Sequence, residues 1–241
     1  MCLVGDSVCC CQAVVVNSEG NGEIWTIVVA AGSGSRFGAA KQFSELGGVS
    51  VLDRSVSAAA RHSDGVVVVV PASESDRLSR DLESGGLAEG LEWRVVAGGS
   101  TRSGSVRNGL VEVPSDVGIV LVHDAARPLA SDSIFENVID AVRTGADAAT
   151  PVIPVTDTIR YRSGGVVDRD GIVAVQTPQA FRAEVLRRVH REGPEATDDV
   201  TLVSESGGVV ELVPGEQRNL KLTTPYDLEM ASLLLSADGE S

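Results

Sequence analysis

Cysteine is missing from almost the whole chain. Cys2, Cys9, Cys10 and Cys11 are its only examples, and residues 12–241 contain none. A disulfide framework would spread its cysteines through the fold, so none is expected. Three adjacent thiols with no histidine near in sequence also lack the ligand spacing of a metal site. Long apolar runs are absent, none reaching the length of a membrane span. Residues 1–23 have neither a cationic leading region nor a long apolar core, which disfavours a secretory signal. These features point to a reducing cytoplasm. Positive charge is also scarce. Lys and Arg number 20 against 34 Asp and Glu, a formal net charge of −14. Binding to nucleic acid or an anionic membrane is therefore not expected. If the substrates are anions, a local cluster of cations must overcome that background. No Cys–His or Ser–His–Asp arrangement stands out for nucleophilic catalysis.

What is present suits one sizeable α/β domain of 241 residues, 43% of them hydrophobic. Ile24 to Ala31, Val66 to Val70, Trp93 to Ala97 and Gly118 to His123 read as strands buried on both faces. Residues 50–62, 74–84, 102–112 and 131–143 read as helices between them. In the last, Ile134, Phe135, Val138, Ile139 and Val142 share one face, with Ser131 as its cap. Strand and helix in alternation imply a mostly parallel sheet with helices on both sides. Residues 152–176 break this rhythm. Thr158 to Arg162 and Val166 to Asp168 read as short strands joined by Ser163-Gly164-Gly165, with Ile172 to Gln176 as a further strand. This segment reads equally as a projecting β-arm or as a hairpin folded onto its own domain. A projecting arm would leave strand edges for a partner subunit to cover. The closing helix has Thr224 as cap, Pro225 in its first turn and Asp227 behind it. The expected organisation is an extension without stable structure over 1–23, a domain over 24–236 and a loose tail over 237–241.

Three stretches carry chemistry. The first, VVAAGSGSRFGAAKQF, follows the first strand with Gly32, Gly34 and Gly38 and the cations Arg36 and Lys41. The glycines do not match the dinucleotide fingerprint, and the Lys-Ser/Thr pair of a Walker loop is missing. Asp53 lies at a tempting distance for a ribose-binding acid but falls in a helical segment. A loop remains whose backbone can approach an anion closely, with two cations beside it. The second stretch, VAGGSTRSGSVRNGL, sets Gly98, Gly99, Ser100, Arg102, Ser105 and Arg107 after a strand. Its small polar groups suit a base or ribose, or else a helix cap. In the third, VLVHDAARP, a strand delivers Asp124 at its carboxyl end. Asp124 there is suited to Mg²⁺, which takes few protein carboxylates and fills its shell with phosphate and water. Arg127 follows, able to pair with an anion, or with Asp124 as an internal ion pair. His123 reads as a packed strand-end residue.

The motifs A-A-G-S-G-S-R, H-D-A-A-R-P, P-V-T-D-T, Q-T-P-Q-A-F and N-L-K-L-T-T-P-Y-D-L occur in that order. Together they resemble the 2-C-methyl-D-erythritol 4-phosphate cytidylyltransferases of non-mevalonate isoprenoid synthesis, from about Ile24 to Leu235. The resemblance implies a Rossmann-like α/β nucleotidyltransferase fold with a dimer-forming β-arm. It also implies a reaction between CTP and a polyol phosphate that needs Mg²⁺. By resemblance, Ala30, Ala31, Gly32, Gly34, Gly99, Ser100 and Ser105 match CTP-binding positions. Arg36, Lys41 and Lys221 match cations that offset transition-state charge, and Asp124 matches the metal ligand. Arg127, Asp157, Thr158, Arg169, Thr177, Thr197 and Thr223 match positions around the acceptor, the arm residues serving the neighbouring subunit of a homodimer.

Two positions depart from the family. Ala40 stands before Lys41 where proline is usual, in a shortened Arg36–Lys41 interval, and Ser100 stands where many members carry an acid. Ribitol 5-phosphate as acceptor is the nearest alternative. A sugar 1-phosphate nucleotidyltransferase fits the arm and the Thr-Pro-Gln segment poorly. A silent regulatory protein fits poorly with intact Arg36, Lys41, Asp124 and Lys221. Too little chain follows Leu235 for a complete second synthase domain, so a single activity is expected.

Overall fold

A computed structural model describes residues 22–32, 41–83, 91–191, 193 and 195–237, with the backbone alone for residue 41 and residues 81–83. The four cysteines, Gly34, Arg36 and the final four residues lie outside the described residues. The chain runs β1 (Ile24–Val29), a 3₁₀ turn (Lys41–Phe43), β2 (Glu45–Leu46), β3 (Val49–Ser50), α1 (Val51–Ala60), β4 (Gly65–Val70), α2 (Ala72–Glu83), β5 (Glu92–Ala97), α3 (Arg102–Glu112), β6 (Ile119–Asp124), α4 (Asp132–Arg143) and β7 (Ala148–Pro154). A second 3₁₀ turn (Arg169–Gly171) then leads to β8 (Val173–Val175), β9 (Gln179–Arg182), α5 (Ala183–His190), α6 (Asp199–Glu205), β10 (Val210–Pro214) and α7 (Pro225–Ala237). Among the described residues no helix is long and apolar enough to cross a membrane.

The main sheet is ordered β10-β7-β9-β6-β1-β4-β5, with β8 paired to β7. Pairings β1–β4, β1–β6, β4–β5 and β7–β10 are parallel, while β9 runs antiparallel to β6 and β7. The valine run of β4 shows why its sequence is apolar throughout. Val66, Val68 and Val70 pack into one core with α1 and α4, while Val67 and Val69 pack into a second with α3, α5 and α6. Side chains alternate across a strand, so covering both faces requires an apolar residue at every position. A third, smaller core joins Leu46, Val51, Leu129 and Leu222 to Ala231 and Leu235 of α7.

Strand order positions the site. β1 proceeds through α1 to β4 on one side, whereas β6 pairs with the opposite side of β1. Ligands bind outside the carboxyl ends of strands at such a switch point. Register brings Val29 opposite Asp124, Val29 opposite Val69, and Val69 opposite Val96. The loops after β1, β5 and β6 therefore leave one edge of the sheet together.

Several local expectations change. Ser131 precedes α4 but makes no side-chain cap, because its hydroxyl donates to Glu216 Oε1 at 2.6 Å. Within 152–176, Thr158 to Arg162 and Val166 to Asp168 form no strand. They meet only through the Arg160–Val166 bridge and the Val167 N–H to Ile159 C=O bond. Val173–Val175 does form a strand, but it joins the main sheet on β7. The cap of α7 works mainly in reverse: Asp227 Oδ2 accepts from Thr223 N, Thr224 N and Thr223 Oγ1, each at 2.7 Å. The Asp227 N to Thr224 Oγ1 contact is long, at 3.4 Å.

Candidate active site

The glycines after β5 and the end of β1 build a close-packed floor. Ala30 N donates to Val69 O at 2.7 Å, and Gly98 N donates to Val70 O at 2.8 Å. A Cβ on Gly98 would stand 2.2 Å from the Ala31 methyl and 3.0 Å from Ser105 Oγ. A Cβ on Gly99 would stand 2.8 Å from the Gly104 backbone. Glycine is needed at Gly99 because backbone approaches backbone where the loop turns into α3, and at Gly98 because the Ala31 and Ser105 side chains already fill the space of a Cβ. Ser105 Oγ donates to Thr101 O at 2.9 Å and accepts from Gly99 N at 3.2 Å. Its immediate work is thus to hold the loop. Thr101 caps α3 by accepting from Gly104 N at 3.0 Å. Gly32, Gly99 and Ser100 are exposed at this edge, as a ligand-facing surface requires.

Asp124, at the tip of β6, meets two cations. Lys221 Nζ donates to Oδ2 at 2.6 Å, and Arg102 Nε donates to Oδ1 at 3.2 Å. Burial by itself would raise this carboxyl. The charges of Arg102, Lys221 and Arg127 outweigh it and hold Asp124 well below the usual carboxylate range. Its backbone N–H donates to Thr177 Oγ1 at 3.0 Å, which gives Thr177 a role in fixing the strand end. The adjacent His123 is fully buried, as expected, and burial pushes its imidazole down to about 4. It is neutral near pH 7.

Arg127 forms no direct ion pair with Asp124 among the described residues. Its Nη1 donates to Asn219 O at 2.7 Å and its Nη2 to Val175 O at 3.2 Å. Burial lowers its pKa. The guanidinium ties the end of β8 to the loop carrying Asn219, and its Nε lacks a partner among the described residues. Asn219 Nδ2 donates to Gln176 Oε1 at 3.2 Å and to Thr177 O at 3.0 Å. Leu222 N donates to Ala126 O at 2.8 Å, while the Leu222 side chain is buried in the third core. Lys221 is thereby presented to Asp124 by a loop anchored on both sides.

The other anticipated residues divide into groups. Asp157, Thr158 and Arg169 are exposed on the arm, where Arg169 Nη1 donates to Thr156 O at 2.7 Å. Thr197 is exposed just before α6. The Thr223 hydroxyl donates to Asp227 in the α7 cap. Lys41 opens the first 3₁₀ turn, but its side chain, like Arg36 and Gly34, lies outside the described residues. Sequence reasoning missed two site residues. Arg102 Nη1 donates to Asp199 Oδ2 at 2.6 Å, and His190 Nε2 lies 2.9 Å from Asp199 Oδ1. Arg102 stood in the second glycine stretch, and Asp199 in a Thr-Asp-Asp run, but no spacing signal joins residues this far apart.

Among the described residues no group of three or more His, Cys, Asp or Glu could hold a metal. A phosphate-bound Mg²⁺ needs only one or two carboxylates. Asp124 is ionised although buried, at the tip of β6. Its Oδ2 contact is with a lysine whose side chain is 42% exposed and can turn away. The donor set thus fits a metal carried in with phosphates, and does not form a closed protein cage.

Comparison with known proteins agrees. The family model described as 2-C-methyl-D-erythritol 4-phosphate cytidylyltransferase matches residues 24–237. The enzyme of that name from Rubrobacter xylanophilus is 42% identical over 222 residues, covering 88% of this chain and 94% of that protein. The bifunctional enzyme IspD/IspF of Anaeromyxobacter dehalogenans is 45% identical over 226 residues, covering 88% of this chain but 56% of that protein. The chain thus spans little more than half the length of such bifunctional relatives. The 4-diphosphocytidyl-2C-methyl-D-erythritol synthase structure from Anaerococcus prevotii superposes with a TM-score of 0.77 at 29% identity, over 90% of this chain and all of that one. The Thermus thermophilus cytidylyltransferase structure gives 0.71 at 35% identity, over 89% of this chain and 99% of that one. A switch-point site with a glycine floor and a cation-flanked aspartate, on a chain matched from β1 to α7, places this protein in the 2-C-methyl-D-erythritol 4-phosphate cytidylyltransferase family.

Proposed function

We propose that this chain transfers the cytidylyl group of CTP to 2-C-methyl-D-erythritol 4-phosphate in non-mevalonate isoprenoid synthesis. The products are 4-diphosphocytidyl-2-C-methyl-D-erythritol and pyrophosphate. The observation that carries this reading is the Asp124–Lys221 pair beside the Gly98–Gly99 floor, at the edge where β1 and β6 end. A phosphate oxygen of the acceptor attacks the α-phosphorus of CTP. The α–β bridging P–O bond breaks, and pyrophosphate leaves with its electron pair. The nucleophile is already anionic, so no general base is needed, and a neutral buried His123 is consistent with that. Catalysis rests on positioning and charge. The glycine floor admits the nucleotide backbone closely, and Lys221 turns from Asp124 toward the phosphates. Arg36 and Lys41 supply further positive charge. Asp124 would hold Mg²⁺, which supplies charge neutralisation on the phosphate oxygens when bound.

The arm extends this reading to a homodimer. Ile159, Tyr161, Val166, Val173 and Val175 leave substantial apolar surface exposed there. A second copy covering it would receive Asp157, Thr158 and Arg169 beside its own acceptor site. The proposed setting is cytoplasmic. The experiment is a panel of CTP, ATP, GTP and UTP against methylerythritol 4-phosphate and ribitol 5-phosphate, read as product mass. Methylerythritol product with CTP alone is expected. Product with ribitol 5-phosphate alone would replace the acceptor, and no product from folded protein would overturn the reading.

A further inference from the structure

We infer that Asp199 is a positioning residue for the Asp124 centre, acting through Arg102. The inference rests on the proposed reaction for its kinetic consequence, but its geometry stands apart. Asp199 opens α6 and is fully buried. An ionised carboxylate in that position requires compensation, since removing a partner leaves its charge buried and unpaired. Arg102 Nη1 at 2.6 Å and His190 Nε2 at 2.9 Å supply it. The opposite edge of the same guanidinium reaches Asp124 Oδ1 through Nε at 3.2 Å. A guanidinium is a rigid planar fork, so fixing one edge fixes the other. Asp199 thus keeps Arg102 on Oδ1 and leaves Oδ2 to Lys221.

Other contacts bind the same two segments. Arg107 Nη2 donates to Glu195 Oε1 at 2.8 Å. The Ser103 hydroxyl donates to Ala196 O and accepts from Ala196 N, both at 3.2 Å. Residues 195–199, which carry Thr197, are therefore fastened along the first turns of α3, directly after the glycine floor. The acceptor-side segment and the nucleotide-side loop share one support.

The test is a double-mutant cycle of Asp199→Asn with Asp124→Asn, followed by pyrophosphate release at saturating CTP and acceptor. Asparagine keeps the volume of Asp199 and a hydrogen bond to either neighbour. In the otherwise unchanged protein, kcat should fall roughly 10–100-fold, as for partners that orient a working ligand. In the Asp124→Asn background, Asp199→Asn should cost nothing further, since its route to the reaction is gone. Losses that multiply would overturn the inference. Arg102→Lys provides a second route should Asp199→Asn not fold, because a lysine cannot bridge both carboxylates; it should show the same non-additivity. A readout without turnover is water exchange of the Arg102 Nε–H by NMR. Exchange faster in Asp199→Asn than in the unchanged protein is expected, and equal exchange would refute the clamp. If the unchanged protein releases no pyrophosphate, the proposed reaction fails and the exchange measurement still decides the clamp.

Discussion

Truncating Lys221 to alanine should separate stability from chemistry. In the resting protein its ammonium lies 2.6 Å from Asp124 Oδ2, with the lysine side chain 42% exposed. Solvent screens a pair that is open on one side, so its loss should cost at most about 1 kcal/mol. Asp124 would not be stranded, because Arg102 remains on Oδ1. For a domain of this size such a loss lowers the melting temperature by roughly 2–4 °C. The kinetic effect should be much larger. A preorganised charge that meets the α-phosphate only as negative charge builds is worth about 10²–10³ in kcat. The assay pairs pyrophosphate release at saturating substrates with a thermal melt. A rate close to that of the unchanged protein would remove Lys221 from the reaction. A collapse of the melt with the rate would assign it to the fold instead.

Other substitutions probe the supports. Gly98→Ala places a methyl against Ala31 and Ser105, so it should destabilise by about 1–3 kcal/mol and weaken CTP binding; unchanged calorimetric affinity would show that the floor does not meet the nucleotide. Leu222→Ala should cost about 2–5 kcal/mol by opening a cavity beneath the Lys221 loop, measured by urea unfolding. Asp227 has its carboxyl held below the usual range: burial would raise it, but hydrogen bonds from Thr223 and Thr224 prevail. Its stabilisation is fully present above the unfolded value of about 3.9 and fades as pH falls through the lower folded value. Asp227→Asn should therefore flatten the acid side of a melting-temperature profile, and an unaltered slope would contradict the cap.

β1, β4 and β6 were legible because both faces of each are covered, which leaves a mostly apolar signature, and the edge strand β5 was legible from its Val95-Val96-Ala97 end. β7, β9 and β10 were not. β7 contains two prolines and two alanines among seven residues, β9 has four residues, and only Val213 of β10 is buried. Their pairing depends on partners distant in sequence. Residues 152–176 were legible as a break in rhythm; of the strands expected there, Val173–Val175 forms and joins β7, while Thr158 to Arg162 and Val166 to Asp168 reduce to one bridge. At the site, Asp124 and the glycines stand at strand ends and could be found locally. Arg102, Asp199 and His190 form a chain only after α3, α5 and α6 pack on one face, so helix-start signals were all that the sequence offered there. Arg127 illustrates the reverse: its motif suggested an anion partner, whereas the fold gives its Nη groups to backbone carbonyls.

The most direct test follows the α-phosphate itself. CTP labelled at the α-phosphorus is incubated with Mg²⁺, methylerythritol 4-phosphate and the protein, and each labelled species is separated. Label appearing in the methylerythritol product, in step with unlabelled pyrophosphate, is the predicted result. Label recovered only as CTP, CDP or CMP would contradict cytidylyl transfer at the Asp124–Lys221 centre.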